Sequence, residues 1–330
     1  MSDAVASKHK RPKAGRIQEY SAGITPGSAP RGIALGPDGN MWFTLELGHK
    51  IGKINPKNGK ITEYSAGITA GSLPTGIALG PDGNMWFTEF DGDKIAKIDP
   101  KTGEVTEYSD GITAGSNPAA IALGPDGNMW FTEPYADRIG KINPQDGQVT
   151  EYAVTPGSGP RGIALGSDGN MWFTEFFSTG GRIGKIDPKS GHVIEYSAGI
   201  TKGSRPYWIA LGPDGNMWFT VINGDKIGKI TPKGRVTEYT VNFAGLEGIS
   251  AGPDGNMWFT ETLGDRLKGR VGKINPRNGR VTEYSAGLTD FSVPREIAMG
   301  PDGRMWFTEF GADKIGAIST GSHQSRKGAA

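Results

Sequence analysis

The chain has no cysteine among its 330 residues. Disulfides, thiol nucleophiles and cysteine-ligated zinc are excluded, while the redox compartment stays open. No run of about 18 apolar residues occurs, so no segment reads as a membrane-spanning helix. The stretch Met1 to Arg16 is basic but lacks an apolar core, so it does not read as a secretory leader. A cytoplasmic location is the resulting expectation. A charge excess is missing too. The net charge of +1 makes no case for a nucleic-acid or membrane partner. The short basic stretch of Lys8, Lys10, Arg11, Lys13 and Arg16 reads as a solvated terminus. Histidine is scarce, with four residues. His9 and His323 sit in polar tails, and His192 adjoins a tight turn. His49 occupies a loop position where other repeats carry Asp93, Asp137, Asp225 and Asp313. His-Glu-x-x-His, the P-loop, the calcium loop and Gly-x-Ser-x-Gly are all absent.

Glycine, by contrast, is abundant at 53 residues, and it is periodic. Met-Trp-Phe-Thr occurs seven times, with Trp at 42, 86, 130, 172, 218, 258 and 306. A turn Gly-Pro/Ser-Asp-Gly precedes each copy, and a Glu-Tyr pair accompanies each repeat. A period of about 40–50 residues built from short strands is the signature of a propeller blade. In residues 74–108, Ile77–Leu79 reads as an inner strand a and Met85–Thr88 as strand b. Lys94–Ile98 reads as strand c and Glu104–Tyr108 as strand d. Strand b is apolar on both faces, as expected between neighbouring blades. Strand d alternates, as expected at a half-exposed edge.

The ends of the pattern predict closure. Arg16–Tyr20 is a d strand with no blade before it, and Lys314–Ile318 is a c strand with no d strand after it. The fold expected is all-β: one seven-bladed β-propeller of four-stranded blades over residues 16–318. The N-terminal strand completes the last blade. Residues 1–15 and 319–330 are expected to be tails. The repeated tryptophans read as blade-to-blade packing. A closed ring needs no partner for stability, so a monomer is expected.

Length changes concentrate in the b–c and d–a connections, which places function on that face. The residue opening strand a should point into the mouth of the channel there. Around the ring it is Arg31, Thr75, Ala119, Arg161, Tyr207, Glu247 and Arg295. The next position is small except at Trp208 and Glu296. Strand b ends on the same face in Glu89, Glu133, Glu175, Glu261 and Glu309. Two readings stand side by side: salt bridges lining a wet channel, or a binding site. Arg31, Arg161, Arg295, Tyr207 and Trp208 are the candidate binding residues, suited to a planar or anionic small molecule, or a peptide.

Gly-Pro-Asp-Gly-Asn-Met-Trp-Phe-Thr-Glu, Asp-Lys-Ile-Gly-Lys-Ile and Thr-Glu-Tyr together resemble the streptogramin B lyase (virginiamycin B lyase) family, from about Arg16 to Ile318. The resemblance implies magnesium-assisted elimination across the ester bond of a cyclic depsipeptide antibiotic. It implies histidines at the mouth of blades six and seven, the latter as base, with one glutamate two residues before it and another after strand b. Here those positions are Glu247, Arg295, Val293 and, approximately, Glu309. The family's mouth tyrosine in blade one is Arg31. Arginine cannot accept a proton near neutral pH.

Three functions are consistent with this reading. One is a propeller that binds a ligand without transforming it. Another is a lyase or lactone-opening enzyme with a relocated site. There Glu247 or Glu296 would be the base, with a divalent cation near Glu261 or Glu309. The third is a scaffold for protein partners.

Overall fold

The structure, a computed structural model, describes residues 14–241, 244–263 and 269–321. Most of the expected N-terminal tail, His9 and His323 lie outside the described residues. Seven antiparallel four-stranded sheets form, each in the order a-b-c-d. Blade one comprises Pro30–Leu35, Met41–Leu45, Lys50–Ile54 and Ile61–Tyr64. Blade seven comprises Pro294–Met299, Arg304–Glu309, Lys314–Ser319 and, from the other end of the chain, Ile17–Tyr20. Ile17 pairs with Ile318 and Tyr20 with Ile315, which closes the ring as the sequence predicts. Among the described residues no helix is long and apolar enough to cross a membrane.

The seven tryptophans are fully buried. Each stacks on the Glu-Tyr tyrosine of its own sheet, with ring centres 5.4–5.8 Å apart. Each indole N–H donates to the aspartate of its own a–b turn, as Trp42 does to Asp38 at 3.0 Å. The packing runs between blades: Trp306 shares a cluster with Met41 and Phe43, and Trp42 with Met85 and Phe87.

Strand a differs from its expected extent. It begins three residues earlier, at Pro74 in blade two, and its register with strand b shifts between Pro74 and Ile77. The threonine of Met-Trp-Phe-Thr fills the resulting irregularity. In blade two, Thr88 Oγ1 accepts from Gly76 N at 2.8 Å and donates to the carbonyl of Ala119 in the next blade at 2.9 Å. The same double contact occurs at Thr44, Thr132, Thr174, Thr220, Thr260 and Thr308, the last reaching Arg31 of blade one. The close approach leaves no room at Gly76, where a Cβ would lie 2.7 Å from the Ala119 carbonyl.

Loop aspartates supply a second tie. Asp93 accepts from the amides of Gly115 and Asn117, and Asp137 from Gly157 and Gly159. Asp313 does the same for Gly27 and Ala29. Each of these aspartates has φ near +50°, the left-handed region, and so does His49, their counterpart in blade one. His49 Nδ1 is buried without a partner.

Two stability tests follow from these ties. Thr174→Val keeps the shape but removes both contacts, stranding Gly162 N and the Tyr207 carbonyl. Chemical denaturation should show a loss of about 1–3 kcal/mol. His49→Asp should instead raise the unfolding midpoint, by about 1 kcal/mol or more. Its carboxylate would meet the equivalent amides of Gly71 and Leu73. An unchanged or lowered midpoint would show that the aspartate tie contributes nothing in blade one.

Candidate functional site

The threonine stitch fixes the backbone at Arg31, Thr75, Ala119, Arg161, Tyr207, Glu247 and Arg295, because their carbonyls are its acceptors. Their side chains open the a strands at the mouth. The five large polar ones come together across it. Tyr207 is the hub. Its hydroxyl accepts from Arg31 at 3.2 Å and from Arg161 at 3.4 Å, and donates to Glu247. Glu247 in turn accepts from Arg295. Arg31 belongs to blade one and Tyr207 to blade five, so this contact crosses the channel.

Each group keeps a different kind of partner. Glu247 is 4% exposed, and burial pushes its carboxyl up while Arg295, Arg31 and Arg161 pull it down. Arg31 uses one terminal nitrogen to hold both oxygens of Glu46 at 2.7 Å. Glu46 follows from a shift of one residue. Strand b ends at Leu45 and is followed by Glu46 in blade one, but ends at Glu89 and is followed by Phe90 in blade two. A single step along a strand reverses the face a side chain takes. Glu296 lies beside this network; burial pushes it up to about 8, against the opposing pull of Arg31. Among the described residues Arg161 has no carboxylate in an ion pair with it. Its guanidinium instead lies over the rings of Phe90 and Tyr207, 5.5 and 5.4 Å from their centres.

Trp208 is partly buried and sits 6.2 Å from Tyr207, ring centre to ring centre. From Tyr207 a chain of edge-to-face contacts continues through Phe176, Phe177, Tyr135 and Phe90 at 5.3–6.0 Å. Phe90, Phe176 and Phe310 all occupy the position just after the strand b ending. Around the ring that position reads Glu46, Phe90, Pro134, Phe176, Ile222, Thr262 and Phe310. This second variable ring, one residue beyond the regular glutamates, was the available signal for the aromatic arc.

The regular glutamates themselves are not brought to the mouth. Glu89, Glu133, Glu175, Glu261 and Glu309 are fully buried. They face outward along the blade, toward the glutamates of strand d. The charge of Glu19 raises Glu309, and that of Glu283 raises Glu261. Among the described residues no cluster of three or more His, Asp or Glu could hold a metal ion. Glu247 is already taken by Arg295, and Glu261 and Glu309 lie in separate blades. The donor set at the mouth therefore does not fit the magnesium ion that the resemblance implies. His49 and His192 are also outside the network.

The family model for the virginiamycin B lyases matches residues 9–247 and 201–326. This chain belongs to the virginiamycin B lyase family. Virginiamycin B lyase from Staphylococcus aureus is 34% identical, over 92% of this chain and 99% of that one, with a TM-score of 0.82. A streptogramin B lyase structure is also 34% identical, over 93% and 99%, with a TM-score of 0.84. A catalytically inactive histidine-to-alanine variant of the Staphylococcus aureus lyase, with quinupristin, is 35% identical over 92% and 99%, with a TM-score of 0.82. No curated protein sequence matches the chain. A bacterial hydrazine synthase at 15% identity shares the fold alone.

This virginiamycin B lyase family scaffold carries five buried carboxyls with a defined pH signature. Burial raises Glu89 to about 7, Glu133, Glu175 and Glu261 to about 8, and Glu309 to about 9. The folded chain thus holds protons that the unfolded chain releases near 4.5. Folded pKa values above unfolded ones mean stability that is full below that value and lost as pH rises through 7 to 9. The urea midpoint should fall from about pH 5 to about pH 9, and Glu309→Gln should flatten that fall. A flat profile in the parent chain would show these groups to be ionised in the fold.

Proposed function

We propose that this chain is a ligand-binding member of the virginiamycin B lyase family that does not perform the ester-opening elimination. One observation carries the reading. The mouth position that the resemblance assigns to the base is Arg295, and its guanidinium is ion-paired with Glu247. A guanidinium stays protonated throughout the working range and cannot take a proton from a carbon next to an ester. The Staphylococcus aureus relative that lacks one histidine is catalytically inactive, and the polar network at this mouth contains none. What the network offers is a fixed set of donors and aromatic faces, which is the equipment for holding a small molecule.

A second reading has its own support. Glu296 lies at the mouth with its carboxyl pushed up to about 8, near the value suited to a general base in mildly alkaline solution. The relocated enzyme would use it, and the nearby guanidiniums would stabilise developing negative charge on the ester oxygen.

One incubation separates the two. Purified protein is mixed with quinupristin, with and without magnesium, and followed by liquid chromatography and mass spectrometry. We expect intact antibiotic in both arms. A linear product of unchanged mass would overturn the binding reading, and its disappearance in Glu296→Gln would assign the base. A product heavier by one water would mean hydrolysis instead.

A further inference from the structure

The mouth is not electrically or chemically even. On the side of blades six, seven and one, each guanidinium has a carboxylate: Arg295 has Glu247 and Arg31 has Glu46. On the side of blades two to five the carboxylates give way to rings. There Arg161 stands without an ion pair among the described residues, and its Nε is buried with no hydrogen-bond partner. Among the described residues its one side-chain hydrogen bond is to the Tyr207 hydroxyl. A second cation, the exposed Arg205, lies over Phe176 at 5.4 Å and is likewise outside any ion pair among the described residues. With Nε closed off and no ion-paired carboxylate among the described residues, the terminal nitrogens of Arg161 are the donors left for a ligand, and they form a fork. A carboxylate is the group that fills such a fork with two parallel hydrogen bonds.

The surroundings define the rest of the ligand. Arg161 is held over Phe90 and Tyr207. Phe176, Phe177 and Tyr135 continue from there as a connected apolar arc, and Tyr135 and Phe177 are 61% and 40% exposed. Rings met edge-to-face at 5–6 Å offer both edges and faces to a flat apolar body. We propose that Arg161, flanked by Phe90, Tyr207 and Phe176, is the anchoring subsite for a small aryl carboxylate: the carboxylate on the guanidinium, the ring system along the aromatic arc. The ion pairs of the mouth agree with it: Glu46 is paired to Arg31 and Glu247 to Arg295, which leaves Arg161 as the mouth guanidinium without an ion-paired carboxylate among the described residues.

This inference rests on the reading of the mouth as a binding site, and it is tested separately from the fate of the antibiotic. The probe is 2-naphthoate, measured by titration calorimetry against its neutral amide, 2-naphthamide. The acid should bind at least tenfold more tightly than the amide. Arg161→Gln should bring the acid down to the level of the amide. Its thermal midpoint should stay near that of the parent, because the stitch at this position uses the Arg161 carbonyl and not its side chain. Arg161→Lys should fall between, keeping charge but losing the fork. Equal binding of acid and amide, no binding of the acid, or an unchanged affinity in Arg161→Gln would each overturn the subsite. Intact quinupristin with no naphthoate binding would overturn this inference while leaving the non-eliminating reading in place. Linearised quinupristin with tight naphthoate binding would do the reverse.

Discussion

The threonine hydroxyl of Met-Trp-Phe-Thr holds this propeller to its purpose. Trp, Phe and Met pack fully buried between blades, but burial is non-directional. The hydroxyl is directional. It sits at a register break in its own blade and reaches the carbonyl of the residue that opens strand a in the next. Seven such contacts, the last from blade seven to blade one, set the spacing of the inner strands. The side chains on those residues are free to differ because their backbones do not. Variation at the mouth costs the scaffold little, since the part of each residue that the scaffold uses is its carbonyl.

That separation explains why fold and site were unequally legible. The blade count, the closure by Ile17–Tyr20 and the structural role of the tryptophans all follow from a repeat of two- to four-residue signals. The ring of Arg31, Arg161, Tyr207, Glu247 and Arg295 was legible too, as the place where a uniform repeat becomes diverse. Its connectivity was not. Whether Arg31 meets Glu46 or Tyr207 depends on distances at the mouth, between residues up to 176 positions apart. No periodicity along the chain encodes those distances.

The regular glutamates teach the opposite lesson. Being at the mouth end of strand b placed them on the right face, but strand geometry alternates side chains, and the pleat turns Glu89 and its equivalents toward strand d. The very next residue then points the other way. Blade one shows the rule by breaking it: Leu45 takes the buried position and Glu46 moves to the mouth, where it becomes the partner of Arg31. The same alternation delivers Phe90, Phe176 and Phe310 to the guanidiniums of Arg161, Arg205 and Arg295. A reading by repeat position finds the blade. A reading by parity within the strand finds the site.

Parity also separates the two electrostatic regimes of the molecule. On the inward step, carboxyls and guanidiniums meet in pairs, and the low-dielectric surroundings strengthen those contacts. On the outward step, carboxyls lie beside carboxyls, and burial together with the like charge raises the inner one, as Glu19 does for Glu309, although Glu175 also has Arg182 at 3.0 Å. Glu296 combines both conditions. It is a mouth residue by position, and burial pushes its carboxyl up to about 8 while Arg31 pulls it down. Position and burial thus act together at this one carboxyl: strand a brings Glu296 to the mouth, and burial there raises its pKa against the pull of Arg31.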